Sequence, residues 1–549
     1  MMRFQIKKIL NKLKIREYIT PDWKEILKGN EKEFELIKEK ANGKKILIAT
    51  STGGHVFCSH LESLLAFALT YYGARVEILL CDKVLPACMM GTSNFIDEEQ
   101  FVKKGVSKIC NGCLDAGKFA FDGQGLKLNY YSQYISKLEI QEANKTVDNL
   151  KYNELFNYTE DEINIGEHSL AGALRYYAVG NLEGQKYKEK ILRKYTKAGL
   201  ITKKVISNFF IKNPDFEIVI SNHAIYIPQG IIASVAKKYK KKIVSYTTGY
   251  RKCSFIFSHD DSYHFTMMSE PTKEWEEINL DKKKEAKIID YLISRRYGTN
   301  DWIYYFDKPK FKIDDILKKK GIDIAKPIIL MAPNIIWDAN LIYPDNIFSN
   351  MLDWIFKTID HFMTRKDLQL IIRAHPGETN YDRISNQRVK EEILKKYSTV
   401  PENIHIIGPE ENISTYALAD LSNSLLMYAS KVGMEFSPFG MNVIVAGESY
   451  VKNKNITTDP KSQEEYFEIL KNLPFKSKKN PDQILRAKKY AYHFFFRRMI
   501  APFSIIENPH SWPNFKISKN IFKDIRNDKS LKVICNSIIN YESFVYDDN

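Results

Sequence analysis

No stretch of this 549-residue chain approaches the roughly 18 apolar residues that a membrane-spanning helix needs. The N-terminus also lacks the apolar core and small-residue cleavage site of a secretory signal, so the expectation is a cytoplasmic protein. Cysteine is scarce and odd in number, seven in all, which suits a reducing compartment and not a disulfide framework. Internal repeats and long low-complexity tracts are absent. Acid is in deficit: the net charge of +15 points toward an anionic partner. Acidic lipid headgroups, a charged glycan or a sugar nucleotide would all carry the right sign. With no zinc-finger, RNA-recognition or arginine-rich motif, no nucleic-acid partner is expected.

What is present is ordinary globular material, 44% hydrophobic and 27% charged, in a chain long enough for two or three domains. Residues 1–43 open it as a basic amphipathic arm. Arg3, Lys7, Lys8, Lys12, Lys14 and Arg16 alternate with Phe4, Ile6, Ile9, Leu10 and Leu13 at a helical period. Such a helix either lies on an anionic membrane surface or docks on its own protein.

Lys45–Thr50 predicts a strand that runs into Ser51-Thr-Gly-Gly-His55, then a helix over 56–72 and a strand at Val76–Leu80. Strand, glycine-rich turn, helix, strand is the opening unit of a doubly wound parallel sheet. Strands at Phe216–Ile220 and Ile243–Tyr246 extend this first domain over 44–265. Residues 266–325 are charged and predict a bridge. Alternation resumes with strands at Ile328–Ala332, Leu368–Arg373, His405–Ile407, Ser424–Tyr428 and Asn442–Ala446, a second domain over 326–480. A basic, helical tail covers 481–549. The expected fold class is α/β, two doubly wound Rossmann-like domains facing across a cleft.

Three strand ends of the second domain carry unusual residues. Pro333-Asn334 follows the first, Arg373-Ala-His375-Pro376-Gly377-Glu378 the second, and Ser430-Lys431-Val-Gly433-Met-Glu435 the third. Arg373 can fork onto a phosphate, and His375 can donate to a phosphoryl oxygen from a turn shaped by Pro376. Ser430 at a helix N-terminus adds a hydroxyl and the positive dipole end, and Glu435 can accept from a ribose diol. Together they describe a nucleotide-donor site. These motifs, with Gly440-Met-Asn-Val-Ile-Val-Ala-Gly-Glu-Ser-Tyr450, resemble the bacterial capsule polysaccharide biosynthesis glycosyltransferases. The His-Pro motif is also similar to one in Kdo transferases and bacterial sialyltransferases. The resemblance implies the two-domain architecture called GT-B, with Asn334, Arg373, His375, Pro376, Glu378, Ser430, Gly433 and Glu435 on the donor. It covers about 328–460 well and 45–265 loosely. Lys431 departs from it, because relatives commonly place a small hydroxyl residue there.

A general base and the acceptor contacts are then expected from the first domain. A histidine suits deprotonation of a sugar hydroxyl near neutral pH. His223 leads, then His55, with Glu167-His168 third; Gly53, Gly54, Asn222, Tyr250 and Arg251 are the acceptor-side candidates. The segment Phe257–Asp261 is a further candidate sugar contact. Cys81, Cys88, Cys110 and Cys113 could hold a structural zinc or an iron–sulfur cluster; buried free thiols are the alternative. No other cofactor is required. The expected function is transfer of a sugar from a nucleotide-activated donor to a surface glycan or lipid-linked acceptor, with peripheral contact to the inner membrane face. A sugar-nucleotide 2-epimerase, a polyol-phosphate transferase and a non-catalytic nucleotide-sugar-binding assembly protein are the alternatives.

Overall fold

The computed structural model describes residues 21–547 apart from 302, 304, 307–308, 339–345, 380–382, 508–511 and 513–514. The basic segment 1–16 lies outside the described residues. Its neighbours Trp23, Ile26, Leu27 and Phe34 sit in the first core, where Trp23 and Phe34 stack on Phe67 at 5.1 and 4.8 Å. Residues 21–43 therefore belong to the first unit and not to an arm.

The protein is mixed α/β with two largely parallel sheets. The first contains β1 (Lys45–Ser51), β2 (Arg75–Leu80), β3 (Lys127–Tyr130), β4 (Ile218–Asn222), β5 (Lys242–Thr248) and β6 (Phe255–His259), in the order β3-β2-β1-β4-β5-β6. Only β6 runs antiparallel, against β5. Apolar runs such as Ile46–Ala49 are buried on both faces, as expected where helices cover a parallel sheet. Those helices include α1 (Val56–Tyr71), α2 (Ser107–Phe121), α3 (Ile165–Tyr177), α4 (Lys188–Lys212) and α5 (Gln229–Lys238). The chain winds outward through β1, β2 and β3, then returns to place β4 beside β1. The strand order reverses between β1 and β4, and the loops leaving these two strands diverge there. A crevice opens at such a point, and ligands of doubly wound sheets bind in it.

The second sheet repeats the device. After α6 (Lys282–Arg296) come β7 (Ile328–Ala332), β8 (Gln369–Arg373), β9 (Ile404–Ile407), β10 (Ser424–Met427) and β11 (Asn442–Val445), ordered β9-β8-β7-β10-β11 and all parallel. Here the reversal lies between β7 and β10. The short helix α7 (Val432–Phe436) follows β10, and α8 (Pro481–Tyr492) starts with Asn480 capping and Pro481 at its first position.

Three expectations change. The described residues of 266–325 carry no strand of either sheet, and they are not a free bridge. Trp275, Ile288, Tyr291, Leu292, Ile313 and Leu317 are buried in the core of the second sheet. The tail divides: α8 packs on the second unit, whereas Trp512, Phe515, Ile521, Ile534 and Ile538 enter the first core. Phe255 and Ile500 exchange backbone hydrogen bonds of 2.8 and 2.9 Å where the chain crosses back. Phe257–Asp261, a candidate sugar contact, is instead mostly the edge strand β6 and the turn after it. Among the described residues no helix is long and apolar enough to cross a membrane.

Candidate functional site

The carboxyl ends of β7, β8 and β10 converge on a cavity of about 210 Å³. Ala332–Pro333, His375–Pro376 and Ser430–Val432 form its floor; Tyr297, Tyr305, Phe306 and Tyr416 form an aromatic wall, and Tyr250 closes it from the first unit. Across the strand-order reversal, the Ala429 amide donates to Asn334 Oδ1 at 3.3 Å, so Asn334 ties the two diverging loops together.

His375 is the best-defined polar group. The Gly377 amide donates to its Nδ1 at 3.0 Å. Because an N–H must be the donor there, Nδ1 is an acceptor and the ring's proton sits on Nε2. Burial, with the Lys431 and Arg373 charges beside it, pushes the imidazolium down to about 3. His375 is thus a neutral donor held in one tautomer. We expect nitrogen-detected NMR to show it unprotonated at Nδ1 from pH 5 to 8; titration within that window would contradict this.

Arg373 does something other than expected. Its Nη1 donates to Gly408 O, and Nη2 to Glu411 O and Ile413 O at 3.0 and 3.3 Å. The side chain, 1% exposed, pins the loop after β9 and so positions Ser414–Tyr416 on the pocket wall. Burial lowers it to about 10, so it stays cationic and adds positive potential without a phosphate fork.

Glu435 is likewise engaged inside the protein. Its Oε1 pairs with Arg295 at 3.0 Å and Lys431 at 3.1 Å, and Tyr416 donates to Oε2. Arg295 also pairs with Asp301, which accepts from Tyr291 at 2.7 Å. Arg295 and Glu435 are each 5% exposed, a buried pair. Burial pushes the Glu435 carboxyl up, but Arg295 and Lys431 outweigh it and hold it at about 2. The ribose-acceptor role gives way to anchoring two cations. Lys431, a quarter exposed, keeps its ammonium on the pocket, 4.7 Å over the Tyr250 ring.

Ser430 lines the pocket, its Oγ accepting from the Val432 amide at 3.2 Å. The helix cap is Lys431 instead, and α7 is only five residues long, so its dipole is small. Gly433 serves packing: a Cβ there would lie 2.9 Å from Met427 Sδ. Glu378 does not reach the pocket. Its Oε1 accepts from the Val389 amide at 3.1 Å, its Oε2 has no partner among the described residues, and burial pushes it up to about 7. A carboxyl raised above its unfolded value stabilises below about pH 4.5 and loses this as pH rises through 7. Glu378→Gln should therefore gain on the order of 2 kcal/mol relative to the wild type between pH 5 and pH 8, read from denaturant melts.

On the first sheet the strand-order reversal brings His55 and His223 together, after β1 and β4. His223 has a left-handed backbone (φ 56°), as does Ala224 (φ 55°), strain of the kind found at functional sites. Its Nδ1 has no hydrogen-bond partner among the described residues, and burial and Arg175 push it down to about 4. His55 is pushed down to about 3 by burial, Arg175, His223 and Arg383, and its Nδ1 is occupied by Cys58 Sγ at 3.0 Å.

The other first-unit candidates separate from this pair. Glu167 lies in the first turn of α3, hydrogen-bonded to the capping Asn164, and opens on a different cavity with His168 and Asp261. Asn222 is fully buried, donating to Tyr246 O at 2.9 Å, and Gly53 is needed because a Cβ would collide with the Gly117 backbone. The Gly54 amide donates to Cys113 Sγ at 3.1 Å. Arg251 donates to Met499 O at 2.9 Å and does not line the pocket; Tyr250 does. Cys81, Cys88, Cys110 and Cys113 do converge, around a void of about 20 Å³. Among the described residues, however, no group of three or more His, Cys, Asp or Glu is arranged to hold a metal ion. Burial raises all four thiols, Cys81 to about 12 and Cys110 to about 11, which disfavours the thiolate a metal needs.

The sequence did not single out Arg295, Asp301 and Tyr416, which also line the pocket, or Tyr263, which with His264 and Tyr450 lies between it and His223. Tyr450 lies 2.8 Å from His264 Nδ1, and Tyr263 lies 6.2 Å from the His223 ring. The Lys431–Glu435 spacing, one helical turn, was a local signal; nothing local links Arg295 to Glu435, 140 positions away.

No family model matches the chain, and no curated protein sequence matches it. Among solved structures it is similar to two of KpsC from Thermosulfurimonas dismutans. The beta Kdo 2,4 transferase shows 12% identity and a TM-score of 0.35, covering 57% of this chain and 89% of that one. The beta Kdo 2,7 transferase shows 14% and 0.33, covering 59% and 90%. A UDP-N-acetylglucosamine 2-epimerase aligns at 10% identity and a TM-score of 0.25 over 91% of this chain and 97% of that one. TM-scores this low carry no weight on activity, and the site's chemistry stands on its own residues.

Proposed function

We propose that this protein is a glycosyltransferase of the GT-B arrangement, moving a sugar from a nucleotide-activated donor to a glycan or lipid-linked acceptor of the capsule type. One observation carries this. The crevice of the second sheet gathers a fixed Nε2–H donor (His375), a hydroxyl (Ser430) and an ammonium (Lys431) beside an aromatic wall. Aromatic faces suit a nucleobase, and the polar trio suits its phosphates.

The step is a substitution at the anomeric carbon. The bond to the donor phosphate breaks and its electron pair leaves on the phosphate oxygen, where Lys431, His375 and Ser430 meet the charge. Donors already in place need no reorganisation as that charge develops. The acceptor hydroxyl oxygen bonds to the anomeric carbon, and its proton goes to His223. The carboxyl-edge loops of the two sheets touch, Tyr226 OH with Asp338 Oδ1 at 3.4 Å, which supports a base on the first sheet working with a donor on the second.

Calorimetric titration with CMP-, UDP- and GDP-sugars tests the site. One base class is expected to bind, and His375→Ala to weaken it about ten- to a hundredfold, the worth of a hydrogen bond to a charged group. If no donor binds, or His375→Ala binds as the wild type does, the assignment fails. Epimerised nucleotide sugar formed without acceptor would shift the reaction to 2-epimerisation.

A further inference from the structure

A second cavity, of about 190 Å³, lies in the first unit and shares no lining residue with the pocket of the second sheet. The N-terminal half of α3, the loop leaving β4, one face of α5 and the turn after β6 wall it. Small residues make the space: Ala171, Ala224, Gly230 and Ala233 stand where larger side chains would fill it. Ala224 directly follows His223, so their Cα atoms are about 3.8 Å apart and the cavity begins one residue from the base.

The polar lining is rich in hydrogen-bond acceptors. Asn164 Nδ2 donates to Glu167 Oε2 at 2.8 Å, which leaves Oε1 without a partner among the described residues. His168 Nδ1 lies 2.5 Å from the Ile225 carbonyl, so that nitrogen carries the proton and Nε2 is an acceptor. A Cβ on Gly230 would collide with the His168 ring, and this glycine is what lets the imidazole sit there. Ser262 is 1% exposed, yet its Oγ has no hydrogen-bond partner among the described residues and does not cap the helix Tyr263–Ser269 that follows it. A buried hydroxyl without a bond is costly, and a group entering the cavity would satisfy it.

Ala171, Ala233, Ile225 and Phe265 supply an apolar side. A ligand that fits must therefore donate several hydrogen bonds and still bury an apolar face. A sugar ring does both, with hydroxyls on its edge and C–H groups on its faces. Glu167, Asp260 and Asp261 outnumber Lys237, which pairs with Asp261 at 3.4 Å, so the cavity is locally negative in a chain of net charge +15 and repels acids. Among the described residues no three His, Cys, Asp or Glu side chains are placed to share a metal ion, so these carboxylates are not a cation site.

We propose that this cavity seats one uncharged sugar ring, with its hydroxyls on Glu167, His168 and Ser262 and its apolar face on Phe265. Calling that ring part of the acceptor glycan rests on the glycosyl-transfer function; the sugar site itself does not. The next residue of such a glycan then lies at the carboxyl edge where His223 stands.

Saturation-transfer NMR and calorimetry with the methyl glycosides of glucose, galactose, mannose and N-acetylglucosamine test this, with methyl glucuronide and methyl galacturonide as acidic counterparts. At least one neutral glycoside should bind at millimolar concentration, about tenfold or more tightly than either acid, and with little change as salt rises. Ser262→Ala should weaken it about three- to tenfold, the worth of one hydrogen bond. Its melting temperature should be unchanged or higher, because the hydroxyl has no partner to lose. Ala233→Leu, which fills part of the cavity, should abolish binding, with its melting temperature as the folding control. No binding of any neutral glycoside, an acid bound as tightly, or binding unchanged in Ser262→Ala overturns the site. Sugar binding with no nucleotide binding would remove the glycosyl-transfer function alone, and nucleotide binding with no sugar binding would remove this site alone.

Discussion

Replacing His223 with glutamine is expected to lower kcat by about 10²–10⁴-fold, the usual worth of a general base, while leaving the Kd for the nucleotide donor within about twofold. His223 belongs to the first sheet and the donor contacts to the second, so the two effects should separate. The pH profile gives a sharper test. A base works in its neutral form, and burial with Arg175 holds His223 at about 4 in the unliganded protein. The acid limb of kcat/KM should therefore fall near pH 4, with little change between pH 6 and 8. Among the described residues Arg175 acts on His223, and His223 in turn acts on His55 and His264, so His55→Gln should leave a measurable limb in place. Full activity in His223→Gln would remove it from the reaction.

Removing Glu435 should be the most destabilising single change in the second unit. Arg295 and Lys431 would be left facing each other with Asp301 alone, and breaking a buried pair by deleting one partner costs about 3–5 kcal/mol. For a unit of this size that lowers its Tm by on the order of 10 °C, followed by calorimetry. The sign with pH follows from the carboxyl held at about 2, below its unfolded value. Its stabilisation is fully present above about pH 4.5 and is lost as pH falls through 2, so Glu435→Ala and the wild type should converge in acid. The buried histidines cannot mimic this, because they are common to both proteins. Glu435→Gln keeps the shape and the contact with Tyr416 but not the charge, and should fall between the two. A Glu435→Ala protein as stable as the wild type at pH 7 would show that the network contributes nothing net.

The apolar runs at 45–50, 76–80, 328–332 and 424–428 made the parallel sheets legible, because a strand buried on both faces must be continuously hydrophobic. The polar residues that interrupt at their ends marked the crevices, and His55, His223, His375 and Ser430 do stand there. Strands β3 and β6 escaped notice. Lys127–Tyr130 is short and half polar, and Phe255–His259 reads as a cluster of ring-bearing side chains until the hairpin from β5 folds it onto the sheet edge. Arg373 and Glu435 line the cavity, but their polar atoms are also taken by neighbouring groups. A charged side chain at a strand end suits a ligand or a neighbouring loop equally well until the neighbour is placed.

What the sequence determined by itself was the alternation of elements, and with it which residues would emerge at the carboxyl edges. That information is local, carried by periodicity and by the residue types at each strand end. Only the tertiary structure decided which of those residues face the cavity. Arg373 lines the cavity with its guanidinium held by three carbonyls, Glu435 lines it while holding Arg295 and Lys431, and Glu167 opens on another cavity. Lys431 instead keeps its ammonium on the pocket. The physical reason is distance along the chain. Arg295 is 140 residues from Glu435 and Arg383 is 208 from Arg175, and partners that far apart are chosen by packing of the two units, which no local pattern encodes.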